Sequence, residues 1–328
     1  MLTKMDSLLL PYMKILLTGG NGFVGQYLAP MLVEAAPGAD RLAIIRKSSG
    51  GLCSAWGIAY AEIYDEENLK SILKLFQPDL VVHMAAQSSV SNSHNASQET
   101  WSVNFSGTFA LAKAVAEFAP SCTFLFTSSS EVYGLSLRDG LVDETAPLQP
   151  MNCYARSKAA AEHMLLDIIP KTCKLIIARA FNHLGPGQSE RFVMASFAGQ
   201  IARIEAELQP PVLIVGNIDV ARDFLDVRDV CKAYIGMLRV APDLESPTIF
   251  NVSSGHPQTI REALNILKLA SKTDFTIEID PKRLRPSDIP SATGANNKLC
   301  ERTEWAPSIP FTKILHDLLD HARDSVKI

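Results

Sequence analysis

Tyr154 and Lys158 are the residues whose types and spacing point most directly to chemistry. Four positions apart in a predicted helix, their side chains would lie on one helix face. A phenol has a pKa of about 10 and is a poor acid at neutral pH, but a nearby ammonium group stabilises the phenolate and lowers that value. We therefore expect the pair to transfer a proton at a reacting oxygen, with Lys158 lowering the pKa of Tyr154.

A glycine-rich turn far upstream indicates what lies beside this pair. Residues 18–25 read TGGNGFVG, directly after a short apolar run and before a predicted helix. Where Cβ atoms are missing, the backbone can approach a pyrophosphate, which the helix N-terminus then stabilises. The pattern predicts a dinucleotide that would supply a hydride beside the proton-transfer pair. Its expected contacts here are Gly19, Gly22, Phe23, Val24 and Gly25.

The end of the second predicted strand favours one nicotinamide cofactor over the other. An acidic residue at this point binds the ribose 2′-OH of NAD, whereas an arginine accommodates the 2′-phosphate of NADP. The strand runs into Arg46 and Lys47, and a guanidinium group can bind a phosphate through two hydrogen bonds. We predict NADP(H), with NAD(H) as the alternative.

A polar cluster follows the fifth predicted strand. Ser129 could donate a hydrogen bond to a substrate carbonyl and polarise it for hydride attack, and Ser130 and Glu131 come directly after it. Asn152 is placed to cap the helix that carries Tyr154. The chain thus contains the glycine turn, Ser129, Tyr154 and Lys158 in an order that suits carbonyl chemistry.

Alternating strands and helices must position these residues. Continuous apolar strands separated by helices are typical of a doubly wound parallel sheet covered on both faces. We assign residues 1–181, with returning segments at about 217–252, to this cofactor-binding unit. Residues 182–216 and 253–328, which are richer in proline and loops, form a smaller interwoven substrate lobe in this interpretation.

Composition argues against several other classes. The 328 residues carry a net charge of −4 without long runs of one sign, which disfavours nucleic acid and anionic membranes as partners. No apolar run is long enough to span a membrane. The six cysteines show no metal-ligand spacing, so we expect no metal and a reducing, cytoplasmic setting. Residues 1–12 do not read as a signal peptide, and Met13 could be the start.

The motifs together resemble the extended short-chain dehydrogenase/reductases that act on nucleotide sugars, and the resemblance covers nearly the whole chain. It implies a Rossmann-type fold, catalysis by Ser129, Tyr154 and Lys158, and a helix-bending active-site asparagine at Asn104. Residues 83–86, HMAA, are similar to the family's HLAA segment near the cofactor. The family's adenine-contacting aspartate is replaced here by a glutamate. The implied cofactor contacts are Glu62, Ile63, Ala85, Ala86, Thr127, Tyr154, Lys158 and Ala180.

The second half resembles GDP-4-keto-6-deoxy-D-mannose reductases. Residues 179–188, RAFNHLGPGQ, are similar to their RPFNHxGPGQ stretch, and residues 222–229 and 284–288 also match. The resemblance implies a homodimer formed through helices 97–118 and 153–168. It also places Asn182 near the sugar and two arginines near the diphosphate. The implied substrate contacts are Asn104, Ser130, Asn182, Arg222 and Arg285.

The function implied is NADPH-dependent reduction of the C4 keto group of a nucleotide-activated 4-keto-6-deoxyhexose. Glu131 keeps a 4,6-dehydratase with recycled NADP as an alternative, because the family's dehydratases have their base at this position. A 4-epimerase fits the Arg46–Lys47 strand end less well. A non-catalytic cofactor sensor on the same fold is a further alternative. The nucleotide and the C4 stereochemistry of the product stay open.

Overall fold

The computed structural model of the protein describes residues 10–47, 52–284 and 289–326. Arg285, predicted to bind the substrate, therefore lies outside the described residues. The strands are, in chain order, β1 (Lys14–Thr18), β2 (Asp40–Ile45), β3 (Gly57–Tyr60), β4 (Leu80–His83), β5 (Thr123–Thr127), β6 (Leu141–Val142), β7 (Lys174–Ala180), β8 (Asn182–Leu184), β9 (Val212–Val215), β10 (Ala221–Asp226), β11 (Thr248–Val252), β12 (Pro257–Thr259), β13 (Thr276–Ile279) and β14 (Ser291–Gly294).

Local capping signals in the sequence start several of the helices. The side chain of Asp65 caps α2, that of Asn152 caps α6, and Thr259 with Glu262 forms a capping box at α9. The helices are α1 (Phe23–Ala35), α2 (Glu66–Phe76), α3 (Val90–Asn95), α4 (Ser97–Trp101), α5 (Gly107–Phe118), α6 (Cys153–Ile168), α7 (Val193–Glu205), α8 (Val227–Val240), α9 (Ile260–Ala270), α10 (Asn297–Thr303) and α11 (Phe311–Val326).

A seven-stranded sheet in the order β11-β7-β5-β4-β1-β2-β3 forms the larger part of the molecule. All of its neighbouring strands run parallel. Its apolar strands are buried on both faces, between α1 and α8 on one side and α2, α5 and α6 on the other. The predicted doubly wound sheet is confirmed. The strand order reverses between β1 and β4, and ligands of such sheets bind at the carboxyl ends of the strands around that point.

The predicted long helix 97–118 is confirmed and contains a π-helical turn. A π-helical turn at Ser102–Ser106 separates α4 from α5. The hydroxyl of Thr108 donates to the carbonyl oxygen of Asn104 at 2.7 Å, and side chains that bond the backbone one turn back bend helices. Apolar periodicity predicts the helix but does not report such a bond or the π-helical turn.

Smaller sheets and three helices form the rest of the molecule. One sheet has the order β12-β10-β14-β6 with β8 paired to β10, and β13 pairs with β9. Helices α7, α9 and α11 enclose a separate apolar cluster. The segment at 217–252 divides, since β10 joins the small sheet, whereas α8 packs on the large sheet and β11 is an edge strand of it. Helix α10 also packs on α8 and β11.

No helix among the described residues is long and apolar enough to cross a membrane. Within the same residues, no group of three or more histidine, cysteine, aspartate or glutamate side chains is arranged to hold a metal ion.

Candidate active site

The glycine turn closes against the neighbouring strand. Gly19 has a φ of +71°, and a Cβ there would lie 2.7 Å from the backbone nitrogen of Ala85. A Cβ on Gly25 would lie 2.3 Å from the carbonyl oxygen of Gly20. Since only glycine permits these approaches, the sequence folds here into a tight cradle of backbone between β1 and α1.

The first turn of α1 offers its backbone to an anion. Gly22 is the N-cap residue, and no side chain caps the helix. The N–H groups of Phe23, Val24 and Gly25 therefore have no acceptor within the helix, and the helix dipole favours negative charge at this end. Backbone donors in a cradle that a Cβ would fill fit the pyrophosphate of a dinucleotide.

The described residues that were predicted to bind the cofactor all lie along the carboxyl edge of the large sheet. Arg46 and Lys47 follow β2 and are exposed, which suits a 2′-phosphate. Ile63 is buried against Gly107, so its side chain packs in the core. The remaining ones sit at the ends of neighbouring strands, namely Glu62 after β3, Ala85 and Ala86 after β4, Thr127 on β5 and Ala180 on β7.

Arg46→Ala is expected to weaken NADPH binding by about tenfold or more, because a charge-assisted hydrogen bond contributes about 1.5–3 kcal/mol. NADH binding should be unchanged, since NADH lacks the 2′-phosphate. Cofactor titrations followed by protein fluorescence measure both affinities. Arg302→Ala, at another exposed arginine on α10, serves as the control. Equal losses for NADPH and NADH in Arg46→Ala would contradict the assignment.

Tyr154 and Ser129 meet where β5 faces the start of α6. Asn152 caps this helix by accepting a hydrogen bond from the backbone nitrogen of Ala155 at 2.8 Å. Ser129 follows β5 and lies close enough to the Tyr154 phenol to lower its pKa, while its own oxygen accepts from the backbone nitrogen of Glu131 at 3.2 Å. Two hydroxyl groups are thereby held side by side, as binding of one carbonyl oxygen requires.

The pKa of Tyr154 moves in the direction opposite to the sequence prediction. Burial raises it to about 12; the hydrogen bond from Ser129 lowers it in part, and the Glu131 carboxylate raises it further. The expectation that Lys158 lowers the phenol pKa is wrong for this structure. A raised pKa keeps the phenol protonated, so Tyr154 is suited to donate a proton.

Lys158 points towards the sheet. Its ammonium group donates to the carbonyl oxygen of Thr127 at 2.8 Å and lies 4.7 Å from the centre of the Phe126 ring. Burial lowers its pKa to about 7, against the opposing effect of Glu162. Lys158 can thus lose its proton near neutral pH. Its ammonium group lies at the end of β5, where a nicotinamide ribose would lie.

Glu131 is hydrogen-bonded to Asn152, the residue that caps α6. One of its carboxylate oxygens accepts a hydrogen bond from the Asn152 side chain at 2.9 Å. Its neighbour Ser130 is nearly fully buried at the start of the short helical turn Ser130–Tyr133. Glu131 is half-buried beside Ser129 and Tyr154, so a carboxylate stands within the catalytic group, as the dehydratase alternative needs.

The asparagine predicted to bend the helix, Asn104, lies within the π-helical turn Ser102–Ser106. Its side chain is completely buried. The amide oxygen accepts from the backbone nitrogen of Gln87 at 2.8 Å, and the amide nitrogen donates to the Gln87 carbonyl oxygen and to the Ser157 hydroxyl. Because its amide oxygen and nitrogen are both hydrogen-bonded within the protein, Asn104 helps to position α6 and does not face the substrate. The prediction of direct substrate contact is corrected accordingly.

The proposed substrate side lies on the small sheet. Strand β8 begins at Asn182, which is exposed and pairs in register with Phe224 of β10. Arg222, two residues earlier on β10, donates to the carbonyl oxygens of Ala221 and Ile289, both at 2.8 Å. The structure thus brings Asn182 and Arg222 onto neighbouring strands.

A buried ion pair near the catalytic helix was not found by sequence reasoning. Arg179 on β7 contacts the Glu162 carboxylate at 2.7 Å, and both side chains are less than 5% exposed. Ser128 donates to the same carboxylate, and Arg179 also donates to the Tyr133 phenol. Glu162 lies one helical turn beyond Lys158, and that spacing was the signal available in the sequence.

The contact between His183 and Phe23 is a second feature that the sequence did not predict. Their rings stack at a centroid distance of 6.2 Å, which brings the start of β8 against the glycine turn. His183 donates through Nδ1 to the carbonyl oxygen of Phe181, and burial lowers its pKa. Gln188 donates to the carbonyl oxygen of His183 at 2.8 Å. The stacked rings thus hold β8 beside the cofactor cradle.

A nicotinamide-dependent oxidoreductase of the extended short-chain type is the class that this fold and this Ser–Tyr–Lys group define. The family model described as GDP-mannose 4,6 dehydratase matches residues 16–318. The chain belongs to this family of NAD(P)-dependent enzymes that act on nucleotide sugars, which confirms the resemblance seen in the sequence.

Individual relatives agree with the family assignment. A GDP-6-deoxy-D-mannose reductase of Pseudomonas aeruginosa is 35% identical over 319 residues, covering 96% of this chain and 98% of its own. RMD from Pseudomonas aeruginosa, solved in complex with NADPH, matches with a TM-score of 0.81 at 33% identity, covering 95% and 99% of the two chains. A Thermus thermophilus UDP-glucose 4-epimerase complexed with NAD gives 0.82 at 27% identity over 95% and 99%.

Proposed function

We propose that this protein reduces the C4 keto group of a nucleotide-activated 4-keto-6-deoxyhexose with NADPH, giving a 6-deoxyhexose for polysaccharide or glycan synthesis. GDP-4-keto-6-deoxy-D-mannose is the favoured substrate. The observation that carries the proposal is the 35% identity to a GDP-6-deoxy-D-mannose reductase over nearly the full length of both chains. NAD(H) is the alternative cofactor, as in the epimerase neighbour.

The cofactor would be held by the backbone donors at Gly22–Gly25 and by Arg46, with Lys158 at the nicotinamide ribose. When bound, it supplies the hydride. The side chains around the carbonyl must polarise it and donate the proton. Asn182 is proposed to contact the sugar, and Arg222 with Arg285 to bind the diphosphate, because guanidinium groups can contact phosphate oxygens in pairs.

Reduction adds a hydride at C4 and a proton at the carbonyl oxygen. Ser129 donates a hydrogen bond to that oxygen and polarises it. Tyr154 gives up its phenolic proton to the oxygen as negative charge develops there, and its pKa of about 12 keeps that proton in place until then. A well-placed general acid contributes about 10²–10⁴-fold to the rate.

A panel of 4-keto-6-deoxy sugar nucleotides carrying GDP, dTDP or UDP, each with NADPH or NADH, tests the proposal. We expect loss of NADPH absorbance with the GDP sugar and one NADPH consumed per product formed. NMR of the product then gives its configuration at C4. If none of the keto sugars consumes reduced cofactor, the proposal is wrong.

Glu131 is the observation that favours a second candidate, a 4,6-dehydratase with recycled NADP. Such an enzyme needs a base for the C5 proton, and the Glu131 carboxylate lies beside Ser129 and Tyr154. Reduction needs no such base. Glu131→Gln is therefore expected to keep NADPH-dependent turnover within about tenfold, since Ser129 and Tyr154 remain in place.

Glu67→Gln serves as the matched control for Glu131→Gln, because it makes the same change at an exposed carboxylate on α2, outside the proposed site. Both variants are assayed on a 4-keto sugar with NADPH and on GDP-mannose without added reductant. Formation of a 4-keto product from GDP-mannose by the wild type, abolished in Glu131→Gln, would establish the dehydratase instead.

The pH dependence of kcat/KM for NADPH should report Lys158. Its pKa of about 7 in the cofactor-free protein means that the ammonium form decreases as the pH rises above that value. At saturating keto sugar we expect kcat/KM to fall about tenfold per pH unit above about pH 7, since this constant reports groups of the free enzyme. A profile that is flat to pH 9 would contradict a role for the charged form.

A homodimer in the cytoplasm completes the proposal. The helices predicted to form the interface expose large apolar side chains, Trp101 on α4 and Leu166 on α6, and exposed apolar surface marks interaction sites. The six cysteines are free thiols, as in a reducing compartment. Sedimentation of the wild type and of Trp101→Asp tests the interface.

A further inference from the structure

A continuous series of hydrogen bonds crosses the core from the cofactor cradle towards the catalytic helix, with His83 at its centre. His83 ends β4 and is 1% exposed. Its Nδ1 lies 2.7 Å from the Thr18 hydroxyl, and its Nε2 lies 2.9 Å from the Thr108 hydroxyl. The Thr18 oxygen also accepts from the backbone nitrogen of Ala85 at 3.2 Å.

The direction of these bonds follows from the number of protons available. The Thr108 hydroxyl uses its single proton on the carbonyl oxygen of Asn104, so it must accept from an Nε2–H of His83. The Nδ1 of a neutral imidazole is then an acceptor and takes the proton of Thr18. Thr18 in turn accepts from Ala85. Each group donates once and accepts once, and one tautomer of His83 satisfies the whole series.

Both ends of the series meet groups that must be aligned for hydride transfer. At one end Ala85 lies against Gly19, where a Cβ would clash with its backbone nitrogen. At the other end the Asn104 side chain donates to the Ser157 hydroxyl at 3.0 Å. Ser157 donates to the carbonyl oxygen of Tyr154 at 2.8 Å. The glycine turn and the backbone of the catalytic tyrosine are therefore linked through buried bonds.

The surroundings of His83 keep it neutral. Its ring packs against Phe124 and Phe126. Burial and the charge of Lys158 lower its pKa to about 3. A proton on Nδ1 would turn the acceptor for Thr18 into a donor and would place a second cation near Lys158. The series therefore keeps one arrangement across the range in which the enzyme works.

We propose that His83 is a positioning residue of the reduction: as the neutral tautomer protonated at Nε2, it sets the spacing between the cofactor cradle and the helix that carries Tyr154. The proposal rests on the proposed reductase function for its kinetic consequences. Misplacement of a reacting group by about 1 Å can cost as much as 10²-fold in rate, so a small shift along this series should be measurable in both cofactor affinity and kcat.

The tautomer is tested without any substrate. NMR of protein with ¹⁵N-labelled histidine should show one buried imidazole protonated at Nε2 that does not titrate between pH 5 and pH 8. Its assignment comes from the signal missing in His83→Gln. A His83 signal protonated at Nδ1, or one that titrates within this range, would overturn the proposal.

The positioning role is tested with a matched pair of threonines. Thr108→Val removes the hydroxyl that accepts from His83, and Thr108→Ser restores it. Thr123→Val removes another buried hydroxyl, on β5 of the same sheet, which is hydrogen-bonded to the Tyr12 phenol. We expect Thr108→Val to weaken NADPH binding and lower kcat, each by about tenfold. Thr108→Ser and Thr123→Val should both behave as wild type.

Equal kinetics and equal NADPH affinity in Thr108→Val and Thr123→Val would show that the hydroxyl at Thr108 has a structural role alone, and would contradict the proposal. Because NADPH titration and NMR need no keto sugar, they test His83 even if the wild type reduces none of the sugars offered. Absence of wild-type turnover would count against the proposed function and not against His83.

Discussion

Tyr154→Phe should lower kcat by about 10²–10⁴-fold, the contribution typical of a general acid. The variant keeps the ring and loses the phenolic proton. Ser129 would remain to polarise the carbonyl, but no group beside it could donate the proton that the developing alkoxide needs. The pKa of about 12 in the folded protein means that the proton is present throughout the working pH range. Steady-state turnover of the 4-keto sugar with NADPH measures the loss.

Tyr12→Phe is the matched control for this experiment. Tyr12 is also a buried tyrosine, and its hydroxyl is bonded to Thr123 and to the carbonyl oxygen of Leu238, away from the carboxyl edge of the sheet. Its loss should cost about 1 kcal/mol of stability, as for a typical hydrogen bond, with kcat unchanged. Tyr154→Phe should retain NADPH binding. Turnover within threefold of wild type in that variant would remove Tyr154 from the mechanism.

Arg179→Met should reduce the free energy of unfolding by about 3–5 kcal/mol, the cost of leaving one partner of a buried ion pair uncompensated. The Glu162 carboxylate is 3% exposed and would keep the Ser128 hydroxyl as its remaining described hydrogen-bond donor. Arg179 also bonds Tyr133 and the carbonyl oxygen of Glu144, so the loss extends over three elements. Urea denaturation at pH 7 measures the difference.

Two further variants separate the buried charge from the packing. Arg179→Met with Glu162→Leu should recover part of the lost stability, because a buried ion pair can often be replaced by apolar residues. Arg203→Met breaks the partly exposed pair with Glu190 and should cost less than about 1 kcal/mol. A loss of similar size in Arg179→Met and Arg203→Met would contradict the importance given to burial.

The parts of the fold that could be predicted from the sequence are those fixed by local pattern. Apolar strands, the glycines of the turn and the i, i+4 spacing of Tyr154 and Lys158 depend on neighbours in the chain. The parallel sheet, its ligand-binding edge and the family follow from these. The cap at Asn152 was likewise readable, because its acceptor serves a donor three residues on.

The remaining features depend on contacts between distant segments. Apolar periodicity does not report the π-helical turn or the Thr108 bond to the backbone beside it. Burial decides the pKa of Tyr154, and burial is set by the whole fold. Asn104 turns inward because Gln87, 17 residues away, and Ser157, 53 residues away, offer it partners. No local pattern predicts these contacts.

Transfer of label from the cofactor to the sugar tests the central claim most directly. The protein is incubated with GDP-4-keto-6-deoxy-D-mannose and NADPH that carries deuterium at the transferred position, and the product is examined by NMR. Reduction at C4 predicts one deuterium at C4 of the 6-deoxyhexose for each NADPH consumed. A product without deuterium at C4, or a new product formed while the added NADPH persists, would contradict the reductase function.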